Sequence, residues 1–168
     1  MNNNVIMWAR ENGDIKIPTK RDSDAGYDIY AYFEEDYKII FPHETVIIPT
    51  GLYSAMSEDW YFQLEERGST GTKGMSQRCG VIDSSYRGEW MVPITNVNEV
   101  AIVIIKKGTE HRCPFFERTD VIFYPYEKAI CQAVLLPVPK MDVVEISVEE
   151  LKAIPSERGE GKIGSSGK

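Results

Sequence analysis

Histidine and cysteine are scarce in this chain of 168 residues, which holds two His and three Cys. Cys79, Cys113 and Cys131 stand far apart, form no Cys-x-x-Cys, and have only His43 and His111 to join them as ligands. This argues against a zinc centre and against a disulfide framework, and reads all three as small apolar residues of strands or loops. Positive charge is also short: 19 Lys and Arg against 26 Asp and Glu leave a net charge of −7. A broad nucleic-acid-binding face does not fit that balance. A phosphorylated ligand would have to be held locally, by a few Arg or Lys, backbone N–H groups or a metal ion. No apolar run approaches the roughly 20 residues that cross a membrane. Met1-Asn2-Asn3-Asn4 lacks the basic-then-apolar start of a signal peptide, so the expected location is cytoplasmic. Helical periodicity sustained over ten residues is missing too.

What is present is a series of short apolar runs broken by turn signals, the pattern of β structure. Strands are expected at Val5–Ala9, Asp28–Tyr32, Tyr37–Phe41, Thr45–Pro49, Leu52–Met56, Trp60–Glu65, Glu89–Thr95, Val100–Ile105, Val121–Tyr124, Ala129–Pro137 and Val143–Val148. Val148–Ala153 is the nearest approach to a helix. So many short strands in one domain imply an all-β sandwich, jelly roll or barrel. The polar, aromatic stretch 106–125 reads as a long loop or extended hairpin inserted between two strands. Pro155–Lys168, with four Gly and three Ser, has almost nothing to bury and is expected to be a mobile arm after a domain over residues 1–154.

Five segments carry candidate chemistry. Asp24-Ala25-Gly26-Tyr27-Asp28 puts two acids around a glycine, fit for a metal-bound water or for an ordinary turn. Arg67-Gly68-Ser69-Thr70-Gly71-Thr72-Lys73-Gly74 has the composition of a phosphate nest or of a surface turn, without Walker spacing. Gly80-Val81-Ile82-Asp83-Ser84-Ser85-Tyr86-Arg87-Gly88 reads as a hairpin holding an acid able to orient a water and a Tyr able to floor a flat ligand. Gln132 interrupts an apolar strand, as a core hydrogen-bond bridge or a ligand contact. Arg158 to Gly167 repeats the Gly, Ser and basic chemistry at the end of the chain.

In this order the five segments resemble the motifs of the homotrimeric dUTPases, from Ala25 to Gly167. The resemblance implies a jelly-roll or distorted-barrel fold. It implies a homotrimer whose three sites lie between subunits, each closed by a mobile C-terminal arm. It implies hydrolysis of dUTP to dUMP and pyrophosphate with Mg²⁺. On the matching positions, Asp83 is the base that activates water, and Tyr86 packs on the deoxyribose and leaves no room for a 2′-hydroxyl. Val81, Ile82 and Met91 frame uracil, with Gln77 near the same pocket. Asp28 holds Mg²⁺ through a water. Arg67, Gly68 and Ser69 meet the phosphates, and Gln132 lies by the α-phosphate. Arg158, Ser165 and Ser166 grip the γ-phosphate, and Ile163 covers the base.

Three positions depart from the family pattern. Gly68 stands in place of Ser, Ile163 in place of the Phe that stacks on uracil, and Tyr126 in place of a Gly. Two other readings share the fold: a dCTP deaminase, for which no acid/base motif is visible, and a regulatory protein that docks a protein partner on 106–125.

Overall fold

The computed structural model describes residues 5–157 and 159–160. They fall in two compact units, Met1–Val138 and Pro139–Lys168.

The first unit is built from strands with two helical turns. The strands are β1 (Met7–Arg10), β2 (Gly26–Ile29), β3 (Tyr37–Ile40), β4 (Thr45–Pro49), β5 (Leu52–Ala55), β6 (Trp60–Glu65), β7 (Met75–Gln77), β8 (Val81–Ile82), β9 (Met91–Asn96), β10 (Ala101–Ile105), β11 (Val121–Pro125) and β12 (Cys131–Pro137). A single α turn, α1 (Gly68–Gly71), follows β6, and a 3₁₀ turn covers Glu110–Arg112. The strands form four small sheets, ordered β2-β12-β6-β8, β4-β9-β7, β11-β10-β3 and β1-β5. This is the jelly-roll class that the sequence implied.

Alternation decides which face turns inward. In β9, Val92, Ile94 and Asn96 are buried while Met91 is exposed. β10 is buried at every residue, as its unbroken run Ala101-Ile102-Val103-Ile104-Ile105 requires. The core centres on Trp90 and Phe62, both fully buried, with ring centroids 5.2 Å apart. Trp8 packs on them at 5.0 and 5.4 Å.

The segment 106–125 is not a hairpin. β11 pairs parallel with β10, from Ala101 opposite Val121 to Ile105 opposite Pro125. Parallel neighbours need a crossover of about a dozen residues or more, and residues 106–120 supply it. Its aromatics are largely used internally: Phe115 and Phe123 pack around buried Val103, Ile105 and Cys113.

Gly80–Gly88 is not a hairpin either. β8 pairs with β6, whereas β9 belongs to the sheet with β4 and β7. The chain turns after Ile82, with the Tyr86 N–H bonded to the Asp83 carbonyl at 3.1 Å, and crosses from one sheet to the next.

In the second unit the strand expected at Val143–Val148 does not form. Ser147 caps a helix instead, α2 (Val148–Ala153): its hydroxyl accepts from the Glu150 N–H at 3.1 Å, and the Glu150 carboxylate accepts from the Ser147 N–H at 2.8 Å. This reciprocal capping box ends the extended chain at Ser147. Among the described residues no helix is long and apolar enough to cross a membrane.

Candidate active site

One row of three strands builds the first half of the site. Gln132 on β12 sits directly opposite Asp28 on β2 and opposite Glu65 on β6. Directly opposed side chains share a face, so this polar row faces out while Ile29 and Cys131, one residue along, are fully buried on the other side. Two residues past Glu65 the chain reaches Arg67, whose guanidinium closes on Asp28. Nε lies 3.0 Å from Oδ1, and Nη2 lies 3.4 Å from Oδ2. Arg67 also donates to the Ser69 hydroxyl at 3.3 Å.

Gln132 is half-buried, not a core bridge. Its amide donates to the Glu66 carbonyl at 2.9 Å, which aims the head group along the polar row. Gly26 makes that possible: a β-carbon there would stand 2.6 Å from the Gln132 Oε1.

The turn after Arg67 is ordered by Thr70, which is fully buried. Its hydroxyl accepts from the Arg67 N–H and donates to the Arg67 carbonyl, both at 3.0 Å. Gly68, by contrast, faces open space, with nothing within 4 Å of where a β-carbon would be.

Asp28, Arg67 and Gln132 line a cleft of about 760 Å³ toward Thr19–Gly26 and a second of about 520 Å³ toward Gly68, Ser69 and Lys128. The first wall is shaped by the Asp28 N–H bonding the Thr19 carbonyl at 3.2 Å. Asp24, the other acid of its segment, is taken up by Arg21 at 2.9 Å, and that hydrogen bond holds its carboxyl below the usual range. On the second wall, burial and then the Asp28 carboxylate push the Tyr30 phenol up, so it stays a neutral hydroxyl.

The second half of the expected site lies along β8 and the crossing loop. Asp83 is exposed just past β8, as are Val81, Tyr86 and Met91, while Ile82 is buried. The Tyr86 hydroxyl donates to the Glu89 carbonyl at 3.0 Å. The Glu89 carboxylate accepts from the N–H groups of Thr50 at 3.0 Å and Gly51 at 2.7 Å, anchoring the loop on the core. Gln77 on β7 turns its amide to the carbonyls of Arg78 and Cys79. Its own N–H meets the Glu66 carboxylate at 3.2 Å. Arg158, Ile163, Ser165 and Ser166 lie outside the described residues.

The two halves do not meet in one chain. Asp28 and Asp83 flank opposite edges of the β2-β12-β6-β8 sheet, and register puts Asp28 level with Glu65 and Asp83 past the level of Phe62. Three strand spacings across and about four residues along amount to about 20 Å.

Sequence reasoning did not pick out Lys20, Tyr30 and Lys128, which line these clefts, or Glu66 beside them. Glu66 ties the Gln77 strand to Gln132, through its carboxylate and its carbonyl respectively. No spacing signals such a dual role, because it depends on which strands pair.

A dUTPase family model matches residues 11–110. The chain belongs to the dUTPase family. It is 33% identical to the deoxyuridine 5′-triphosphate nucleotidohydrolase of Candida albicans over 91% of this chain and 82% of that protein. The fold is that of the dUTPase of Staphylococcus bacteriophage 80alpha, solved as a mutant with dUpNHpp. Its TM-score is 0.70 at 21% identity, over 97% of this chain and 98% of that one. A mutant dUTPase from phage phi11 of S. aureus, whose structure reveals coordination of a structural Mg(II) ion, aligns with a TM-score of 0.66 at 18% identity, over 85% of this chain and 97% of that one.

Proposed function

We propose that the protein hydrolyses dUTP to dUMP and pyrophosphate in a homotrimer whose sites are shared between copies. The observation that carries this reading is the convergence of Asp28, Arg67 and Gln132 on one cleft, from three separate motifs of a dUTPase-family chain.

The chain residues divide the work as follows. Asp83 accepts a proton from the attacking water as its oxygen bonds the α-phosphorus, and the bond from that phosphorus to the bridging oxygen breaks to release pyrophosphate. Gln132 orients the α-phosphate and the water. Arg67 and Ser69, with the backbone of Gly68, hold the phosphates. Tyr86 floors the deoxyribose where a ribose would clash, and the chain around Val81, Ile82, Gln77 and Met91 frames the base. Arg158, Ile163, Ser165 and Ser166 belong to the arm that would close the site.

Mg²⁺ fits the donor set. Among the described residues no group of three His, Cys, Asp or Glu could hold an ion alone, and Mg²⁺ typically uses one or two carboxylates together with substrate phosphates. Asp28 would hold it through a water; when bound, the ion neutralises charge on the triphosphate.

The separation of about 20 Å between Asp28 and Asp83 supports a shared site, since the α-phosphate and its base must lie within a few ångströms. The test is pyrophosphate and ammonia release from dUTP, dCTP, dTTP and UTP with Mg²⁺. The expected outcome is pyrophosphate from dUTP alone, lowered about 10²–10⁴-fold in Asp83→Asn with dUMP binding retained. Ammonia from dCTP would make the protein a deaminase, and parental turnover by Asp83→Asn would remove Asp83 as the base.

A further inference from the structure

We propose that Lys128 is a substrate-binding residue for the β- and γ-phosphates, standing in for the hydroxyl that Gly68 lacks. The inference rests on the reading of the cleft as a triphosphate site.

Lys128 lines the same cavity as Asp28, Arg67, Gly68, Ser69 and Gln132. Its backbone is fixed on both sides. The Lys128 N–H bonds the Pro125 carbonyl at 3.1 Å, and the next residue, Ala129, is buried, its carbonyl taking the Tyr124 hydroxyl at 2.6 Å. Lys128 is exposed where it lines this cleft.

Its charge is unspent. Arg67 is neutralised by Asp28 at 3.0 Å. Among the described residues no carboxylate pairs with the Lys128 ammonium. Neighbouring Glu127 also lines this cavity, but its carboxylate is turned to the Lys107 N–H at 3.0 Å, and its carbonyl accepts from Lys16 Nζ at 3.2 Å.

The same wall has a gap. Nothing lies within 4 Å of a β-carbon at Gly68, so this stretch of cleft offers open space between the Arg67 and Ser69 side chains. A triphosphate carries most of its charge on the two outer phosphates. In a protein of net charge −7 a lysine that lines the same cleft is the matching group.

The experiment compares the parent with Lys128→Gln and Lys128→Arg for binding of the imido analogue of dUTP and of dUMP, alongside kcat and KM for dUTP. Lys128→Gln is expected to weaken the analogue about tenfold and raise KM similarly, with kcat within about twofold. It should leave dUMP affinity unchanged, because dUMP has no outer phosphates. Lys128→Arg should restore most of the loss, and adding Gly68→Ser to Lys128→Gln should recover part of it. Unchanged analogue affinity in Lys128→Gln overturns the inference, as does an equal loss for both ligands, the mark of a structural role. If the parent binds dUMP but not the analogue, the triphosphate reading of the cleft fails first, and this inference with it.

Discussion

Asp28 and Asp83 flank opposite edges of one four-stranded sheet, with β12 and β6 between their strands. By strand spacing and register they stand about 20 Å apart. On the proposed reading, each Asp completes a site with a residue from a different copy.

Complementation follows from that geometry. Asp28→Asn should lower dUTP turnover about 10- to 100-fold, the usual cost of losing a group that acts on a metal through water. Asp83→Asn should be weaker still. When the two variants are unfolded together and refolded, random assembly should regain about a quarter of parental activity, because a site can draw each Asp from a different copy. Activity no higher than that of the separate variants would show that each chain builds its own site.

Tyr86 owes its position to Gly88. A β-carbon on Gly88 would lie 2.6 Å from the Tyr86 Cζ, so Gly88→Ala must swing the ring away and break its hydroxyl bond to the Glu89 carbonyl. The ring is the proposed barrier to a 2′-hydroxyl. The ratio of kcat/KM for dUTP over UTP should fall about tenfold, the size of one lost contact of roughly 1.4 kcal/mol. Steady-state rates on both nucleotides measure it, and an unchanged ratio would mean that Tyr86 does not discriminate.

Cys131 makes stability depend on pH. It is fully buried, and burial pushes its thiol well above the ordinary range. In the unfolded chain a thiol ionises near pH 8.5. Above that pH the unfolded state binds fewer protons than the folded one. The stabilisation is whole below pH 8.5 and is lost as pH rises, by up to about 1.4 kcal/mol per pH unit. Urea unfolding at fixed protein concentration from pH 8 to 10 should therefore fall more steeply for the parent than for Cys131→Ala. Parallel slopes would contradict it.

Much of the local structure was legible in the residues. Thr45–Pro49 and Trp60–Glu65 form strands with the expected bounds, and Val148–Ala153 is the expected short helix. Apolar alternation and turn residues act over a few positions, so they are visible in the chain itself. Short β7 and β8 were not anticipated, since three and two residues give no period to read. The strand expected at Val143–Val148 failed because its apolar pattern competes with the Ser147–Glu150 capping box, and the capping box prevailed.

By itself the sequence determined the all-β class, the inward-facing residues and the order of motifs that marks the dUTPase family. Only the tertiary structure decided which strands pair. Pairing puts Gln132 between Asp28 and Glu65, carries Arg67 onto Asp28, makes 106–120 a crossover between parallel strands, and separates Asp28 from Asp83. The reason is physical. A strand's pattern says which face is apolar, but its partner is selected by packing against strands about 20 to 100 residues away, and that competition leaves no local trace.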